Sequence, residues 1–170
     1  MMKEFELIYR QACEGLIPVS EFLSRLKLLP EFSDDLLAAL LEEREKEDWS
    51  CLFKLIFAVQ AFPSRKFTPV LIELLDEHKD QGYSESLADA FFDIQDERSV
   101  TAMVRAIDHY EPGDDDRNFN KKLIYALANI GTEQAIDGIR VAAQNADEQI
   151  RSAAEQELLR LGFSSTQLKI

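Results

Sequence analysis

The chain has 170 residues, of which 46% are hydrophobic, so it can bury a substantial core and wholesale disorder is excluded. Its 32 acidic and 19 basic residues give a net charge of −13, which disfavours nucleic acid and anionic membranes as ligands and favours a basic partner. The two cysteines, Cys13 and Cys51, are too few for a disulfide scaffold. Both lie among apolar residues, so we interpret them as unpaired side chains of the core.

The N-terminal stretch carries early acidic residues and lacks the apolar segment of a secretory signal peptide. The longest uninterrupted apolar run, residues 36–41, is much shorter than the ~20 residues that a membrane-spanning helix needs. We therefore expect a cytoplasmic protein that does not enter the membrane.

From the first helix onward, apolar residues recur at intervals of three and four, and no segment alternates convincingly with a period of two. Glycine and proline fall between these helical patterns, where they mark breaks. Segments 33–35 and 132–134 have the polar, acid-rich character of helix starts. The pattern predicts an all-α fold of about ten helices joined by short turns.

The predicted helices form pairs that repeat with offsets of 32, 36 and 31 residues. These offsets separate the apolar residues that end each first helix, which are Phe62, Ile94, Ile130 and Leu161. Small residues occupy equivalent positions one turn earlier, at Ala58, Ala90 and Ala126. A pair of helices that cannot bury its apolar face alone, and that recurs about every 32 residues, predicts a stacked helical solenoid.

Two segments carry a family resemblance. Residues 123–136, which end in Leu-Ala-Asn-Ile-Gly-Thr-Glu-Gln-Ala-Ile, resemble a HEAT-like repeat of the short type, and residues 150–162 resemble the start of a further repeat. The resemblance implies a right-handed α-solenoid of about four to five helical hairpins in a single domain. Residues 1–49 would form divergent capping helices, 50–162 the recognisable repeats and 163–170 a tail. Pro63 and Gln95 stand where the family pattern has glycine, so we expect those two turns to close differently.

No catalytic motif is present: the sequence has no phosphate-binding loop, nucleophile elbow, zinc-protease motif or paired C-x-x-C. We therefore expect neither an enzyme nor a cofactor. His78 and His109 fall at the ends of adjacent second helices, where each would favour the negative helix terminus. A metal site at this pair is the less favoured alternative. The run Asp114-Asp115-Asp116 lacks the spacing of a calcium loop and is interpreted as a solvated loop or a partner contact.

The second helices present a row of acidic positions that point away from the predicted core. The offset of 36 residues exceeds the 32-residue repeat by four, which indicates an insertion near residues 109–117. Insertions in solenoids often lie on the binding face. The alternative is that exposed helix faces are charged by default. We predict that a partner contacts the row and the insertion together, through Glu43, Glu73, Asp76, Glu77, Asp108, His109, Tyr110, Asp114, Asp115 and Asp116. Trp49 and Phe92 are interpreted as packing residues.

These features favour a non-catalytic protein-binding module, with a monomer favoured as its oligomeric state. The hypothesis that uses net charge, architecture and missing motifs together is an acidic bacterial immunity or inhibitor protein that neutralises a basic toxin or nuclease. One alternative is an assembly scaffold. Another is a HEAT-like lyase or chaperone that attaches bilin, because the short repeats are similar to those proteins too. A HEAT-like DNA glycosylase needs a basic groove, which the net charge of −13 disfavours.

Overall fold

The computed structural model describes residues 2–77, 81–109 and 117–163. Over these ranges the chain forms ten α-helices and two short 3₁₀ helices, with no β-strand, which confirms the predicted all-α class. The α-helices are α1 (Met2–Cys13), α2 (Val19–Leu26), α3 (Ser33–Glu45), α4 (Trp49–Ala61), α5 (Thr68–Asp76), α6 (Gln81–Ile94), α7 (Val100–His109), α8 (Arg117–Ile130), α9 (Glu133–Ala142) and α10 (Glu148–Arg160). The 3₁₀ helices, Arg65–Phe67 and Glu97–Ser99, lead into α5 and α7.

Short polar side chains begin several of these helices. The carboxylate of Asp48 accepts a hydrogen bond from a backbone N–H in the first turn of α4, and Asp147 accepts two such bonds in α10. Ser64, Asp96 and Thr132 do the same at equivalent positions of three successive units. Each cap satisfies an N–H group that has no partner within its helix, so these residues fix where the helices start.

The turns at the ends of the first helices correct one expectation. Gln95 adopts a positive φ of 52°, in the left-handed region where Gly131 lies at 67°. The turn at Gln95 therefore closes like the glycine turn, although its side chain makes that conformation less favourable. The turn at Pro63 does close differently, because the proline ring holds φ at about −65° and excludes the left-handed conformation of Gln95 and Gly131.

The helices form two layers. In the first layer α4, α6, α8 and α10 contact one another in succession, and in the second layer α3, α5, α7 and α9 do so. The layers meet through contacts such as those of α3 with α4, α5 with α6 and α7 with α8. Helices α1 and α2 pack at one end, where both contact α4. Each helix therefore packs against the helix two places before it, as a repeating pair requires.

The core lies between the layers and follows the repeat positions in the sequence. The predicted small residues Ala58, Ala90 and Ala126 are all fully buried, which allows neighbouring first-layer helices to approach closely. The equivalent large residues are buried too: Leu55, Leu87 and Leu123 in the first layer, and Leu71, Met103 and Ile139 in the second.

The interpretation of the cysteines as unpaired was wrong. Cys13 and Cys51 form a disulfide, with their Cα atoms 4.7 Å apart and a sequence separation of 38. Cys51 is buried as expected, but α1 packs on α4 and brings the end of α1 beside it. The Nζ of Lys54 donates to the backbone oxygens of Ala12 and Cys13 at 2.8 and 2.9 Å, which ties the same two helices together.

Candidate functional site

The exposed side of the second layer carries the acidic residues that the sequence singled out. Glu73 and Asp76 on α5, Glu77 directly after α5, and Asp108 and His109 on α7 are all exposed. Leucines and isoleucines on the opposite sides of the same helices are buried, so the helical period places these five side chains together on one surface. We call this surface, on helices α3, α5, α7 and α9, the second-layer face.

Cations partly neutralise this face. The guanidinium of Arg44 on α3 reaches across to α5, where it binds Glu73 and donates from Nε to Glu77 at 2.9 Å. The hydrogen bond to Glu77 is the main cause that raises the pKa of Arg44. One guanidinium therefore binds two carboxylates, and it interrupts the row of acidic positions that the sequence predicts.

A second ion pair bridges α5 and α7. The Nη2 of Arg105 lies 2.5 and 2.7 Å from the two carboxylate oxygens of Asp76. Both side chains are about half exposed, at 48% and 44%, so water screens the pair and it contributes little to folding, about 0–1 kcal/mol. Asp76 is thus present on the face, but with a counter-charge already in place.

Glu43 does not extend the row, which corrects its assignment as a partner contact. It is 5% exposed and its carboxylate lies 2.8 Å from the Nζ of Lys46. The same Nζ lies 2.5 Å from Glu42, and hydrogen bonds to Glu42 and Glu43 raise the pKa of Lys46. The helical period turns Glu43 inward while its neighbour Glu42 remains exposed.

Between α7 and α9 the face forms a groove. Two adjoining depressions of about 420 and 390 Å³ share a floor of Val104, Gly138 and Val141, with Asp108 at their common edge. Val141 is 54% exposed, so its apolar side chain is accessible in this groove. Asp108 has neither an ion pair nor a hydrogen bond from its side chain to any residue that the structure describes.

The groove is shaped by a close approach of two helices. A Cβ atom at Gly138 would lie 2.4 Å from Cγ2 of Val104, so α9 reaches this position only because residue 138 is glycine. A hydrogen bond of 3.0 Å from Gln134 to the hydroxyl of Thr101 joins the same helices nearer the N-terminus of α9. The floor is therefore apolar and fixed, and its rim is polar.

Another depression lies between the C-terminal ends of α3 and α5. It measures about 610 Å³ and is lined by one cation and three carboxylates around an indole: Arg44, Glu45, Glu47, Glu77 and Trp49. Trp49 is half-buried and packs against the core, in keeping with its interpretation as a packing residue. Phe92 is 42% exposed on α6, in the first layer, so it packs less completely than expected.

Several predicted site residues lie outside the described ranges. These are His78, Tyr110, Asp114, Asp115 and Asp116, so the structure neither joins His78 to His109 nor places the insertion. Within the described ranges, no three side chains of the His, Cys, Asp and Glu types group closely enough to hold a metal ion. None of the helices described is both long enough and apolar enough to cross a bilayer.

Sequence reasoning missed one feature of this face, which is the ion pairing of Arg44. The reach of Arg44 across to α5 depends on how far successive helices are displaced along their axes, which the repeat alone does not fix. Val141 was not missed: it occupies the position that Glu73 and Arg105 occupy in the preceding units, so the sequence alignment places it on the exposed side, where the structure has it. Comparison with known proteins found no family model, no curated protein and no solved structure that matches this chain.

Proposed function

We propose that the chain is a right-handed α-solenoid of HEAT-like hairpins. Three observations support this architecture: the alternate packing of helices in two layers, the equivalent caps at Ser64, Asp96 and Thr132, and the shared left-handed turn at Gln95 and Gly131. In such an array the second-layer face lines one side of the stack, and it is available along its whole length to an extended partner.

The function that this geometry supports best is non-catalytic binding of a basic protein surface. The observation that carries it is the surplus of exposed carboxylates on the second-layer face: Arg44 is shared by two of them, and Asp108 has no cation within the described ranges. A negative surface of this kind attracts a basic partner over several ångströms and speeds their encounter at low salt.

The existing ion pairs leave the face free to exchange partners. Glu73, Asp76 and Glu77 each remain between 44% and 49% exposed while paired, so their pairing contributes little to folding. A lysine or arginine from a partner can therefore replace Arg44 or Arg105 at small cost. The gain comes when the new pair is shielded from water by the interface.

The most specific form of this proposal is an acidic inhibitor of the immunity type, which covers the basic groove of a bacterial toxin or nuclease. Carboxylates spaced along a helical stack would occupy the places that phosphates of a nucleic acid take in such a groove. The proposal keeps the cytoplasmic location, a compartment in which a disulfide such as Cys13–Cys51 is unusual.

The test is capture of partners from native lysate by the tagged protein at ~50 mM and ~500 mM salt, followed by affinity measurement on the purified partner. A single basic partner should be retained at low salt and lost at high salt, because surface charges are screened within ~10 Å at ~0.1 M. Many partners, or one indifferent to salt, would support a scaffold held through apolar side chains such as Phe92 instead.

A matched pair of variants locates the surface. Glu73→Lys with Asp108→Lys should weaken the partner at least tenfold, because both changes place cations on the second-layer face. Asp93→Lys with Glu155→Lys changes the net charge equally at exposed positions on α6 and α10, which belong to the first layer. If both pairs weaken binding equally, the net charge acts without a defined surface, and the assignment of the face fails.

A further inference from the structure

Successive second-layer helices bring equivalent residue positions together, and the pair at the α7–α9 groove differs from the other two. At the α3–α5 junction Arg44 meets Glu73, and at the α5–α7 junction Asp76 meets Arg105; in both pairs the partners are 29 positions apart. Asp108 and Val141 are the residues at the equivalent positions of the α7–α9 junction. The first two junctions each carry an ion pair, whereas the third joins a carboxylate to a valine.

The four-residue insertion accounts for the larger sequence separation of the pair at this junction. It falls between α7 and α9, so the equivalent partners at this junction are 33 positions apart instead of 29. The groove lining supports the equivalence, because Asp108 and Val141 both line the two adjoining depressions. This junction therefore brings the equivalent positions together, and at those positions it has valine in place of a charged partner.

No nearby cation of the described residues replaces it. Arg105 lies on the same helix but binds Asp76, and Arg140 on α9 binds Asp137 at 2.5 Å. Among the described residues, the carboxylate of Asp108 therefore has no counter-charge above the apolar floor, and it lies beside a valine that is 54% exposed.

We infer that the α7–α9 groove binds one arginine or lysine side chain of the basic partner protein. Its aliphatic carbons would lie along Val104 and Val141, and its charged group would pair with Asp108. This combination suits a long basic side chain, whose stem buries against apolar surface while its head stays at a polar rim. The inference rests on the proposed function. It adds the site on this protein that selects a basic residue of the partner.

The size of the groove agrees with this occupant. Each depression, of about 420 and 390 Å³, can hold a side chain together with part of its backbone. Small apolar neighbours of the basic residue would fill the space on either side of Asp108. The partner segment is thus a basic residue flanked by apolar residues, rather than a continuous run of positive charge.

The test uses a capped valine–arginine–valine tripeptide, titrated into the isotopically labelled protein and followed by NMR. Amide shifts should be concentrated at residues 101–108 and 138–146, and the same peptide with neutral citrulline should bind at least fivefold more weakly. Asp108→Asn should weaken the arginine peptide at least fivefold. Glu155→Gln, which removes one exposed carboxylate on α10, should leave its affinity unchanged.

Val141→Arg fills the groove from within the protein. The new guanidinium would occupy the place that Arg105 holds at the preceding junction, so it should abolish peptide binding and leave the thermal midpoint unchanged or raised. Equal binding of the citrulline peptide, or equal losses in Asp108→Asn and Glu155→Gln, would overturn the inference. If Asp108→Asn leaves a salt-sensitive protein partner unaffected while Glu73→Lys releases it, the groove is wrong and the broader function stands.

Discussion

At the scale of single residues, Asn120 is the side chain least matched to its surroundings. It is fully buried in α8, and neither its amide nitrogen nor its amide oxygen has a hydrogen-bond partner among the residues that the structure describes. The equivalent position two units earlier is Leu52, which is also fully buried. A buried amide without partners costs about 1–3 kcal/mol of folding free energy.

Asn120→Leu should therefore stabilise the protein by about 1–3 kcal/mol, because leucine has the same branching with methyl groups in place of the polar atoms. The measurement is the urea midpoint followed by circular dichroism. The reverse change, Leu52→Asn, should lower the midpoint, since it introduces the same defect at the equivalent position. A lower midpoint in Asn120→Leu would show that the amide is satisfied in solution.

Asp96 shows the opposite case of a buried polar group with a full set of donors. It is 3% exposed, and its carboxylate accepts hydrogen bonds from the side chain and backbone N–H of Arg98 and, at 2.8 Å, from the hydroxyl of Thr68. The Arg98 side chain is the largest cause that lowers the pKa of Asp96 to about 2, against the opposing effect of burial. The network joins the turn before α7 to the start of α5.

Because the pKa of Asp96 is lower in the folded protein, its contribution to stability is present above the ordinary value of about 3.9 and is lost as pH falls toward 2. Thr68→Val removes one donor, so it should raise the pKa of Asp96 and destabilise the protein by about 1–3 kcal/mol at pH 7. Urea unfolding at pH 7 and pH 3 checks this: the difference between the two proteins should shrink at the lower pH. A constant difference would assign the loss to packing alone.

At the scale of helices, the contact between α7 and α9 depends on one glycine. Alanine at position 138 would favour the helix by roughly 1 kcal/mol, but its Cβ would meet Cγ2 of Val104 at 2.4 Å. Valine is branched at Cβ and has little freedom to rotate away. Overpacking of this kind costs typically about 1–3 kcal/mol, so the clash outweighs the gain in helix propensity.

Gly138→Ala should accordingly lower the free energy of unfolding, whereas Gly138→Ala combined with Val104→Ala should recover part of the loss. The comparison is a double-mutant cycle from urea unfolding of four proteins, with an expected coupling of about 1 kcal/mol or more. If the two effects add to within about 0.5 kcal/mol, the helices are not in the contact described.

The sequence predicted the all-helical class well, because the apolar period and the helix caps are local properties. It placed Glu73, Asp76 and Asp108 correctly on the exposed side of the second layer for the same reason. It did not predict which charges meet, because the pairing of Arg44 with Glu73 depends on the axial displacement between helices. Cys13 and Cys51 were misassigned because their proximity comes from the packing of α1 on α4.

At the scale of the whole molecule, the two ends of the chain are held differently. The described helix at the C-terminal end, α10, packs on α8 and α9. At the N-terminal end, α1 buries Phe5, Ile8, Tyr9 and Ala12, and the disulfide fastens it covalently to α4. Since α1 contacts α2, α3 and α4 but makes few contacts with α7 or α9, we expect the cross-link to stabilise its own end and leave the α7–α9 junction unchanged.

Replacing both cysteines by serine should lower the free energy of unfolding by about 2–4 kcal/mol, because the bond closes a loop of 38 positions in the unfolded chain. The variant should still fold, since the buried side chains of α1 and the bonds from Lys54 remain. Urea unfolding of the wild type with and without a phosphine reductant provides the matched comparison. An unchanged midpoint on reduction would contradict a stabilising bond. Peptide binding at Asp108 should be equal in both forms, because α7 lies two junctions away from the cross-linked end.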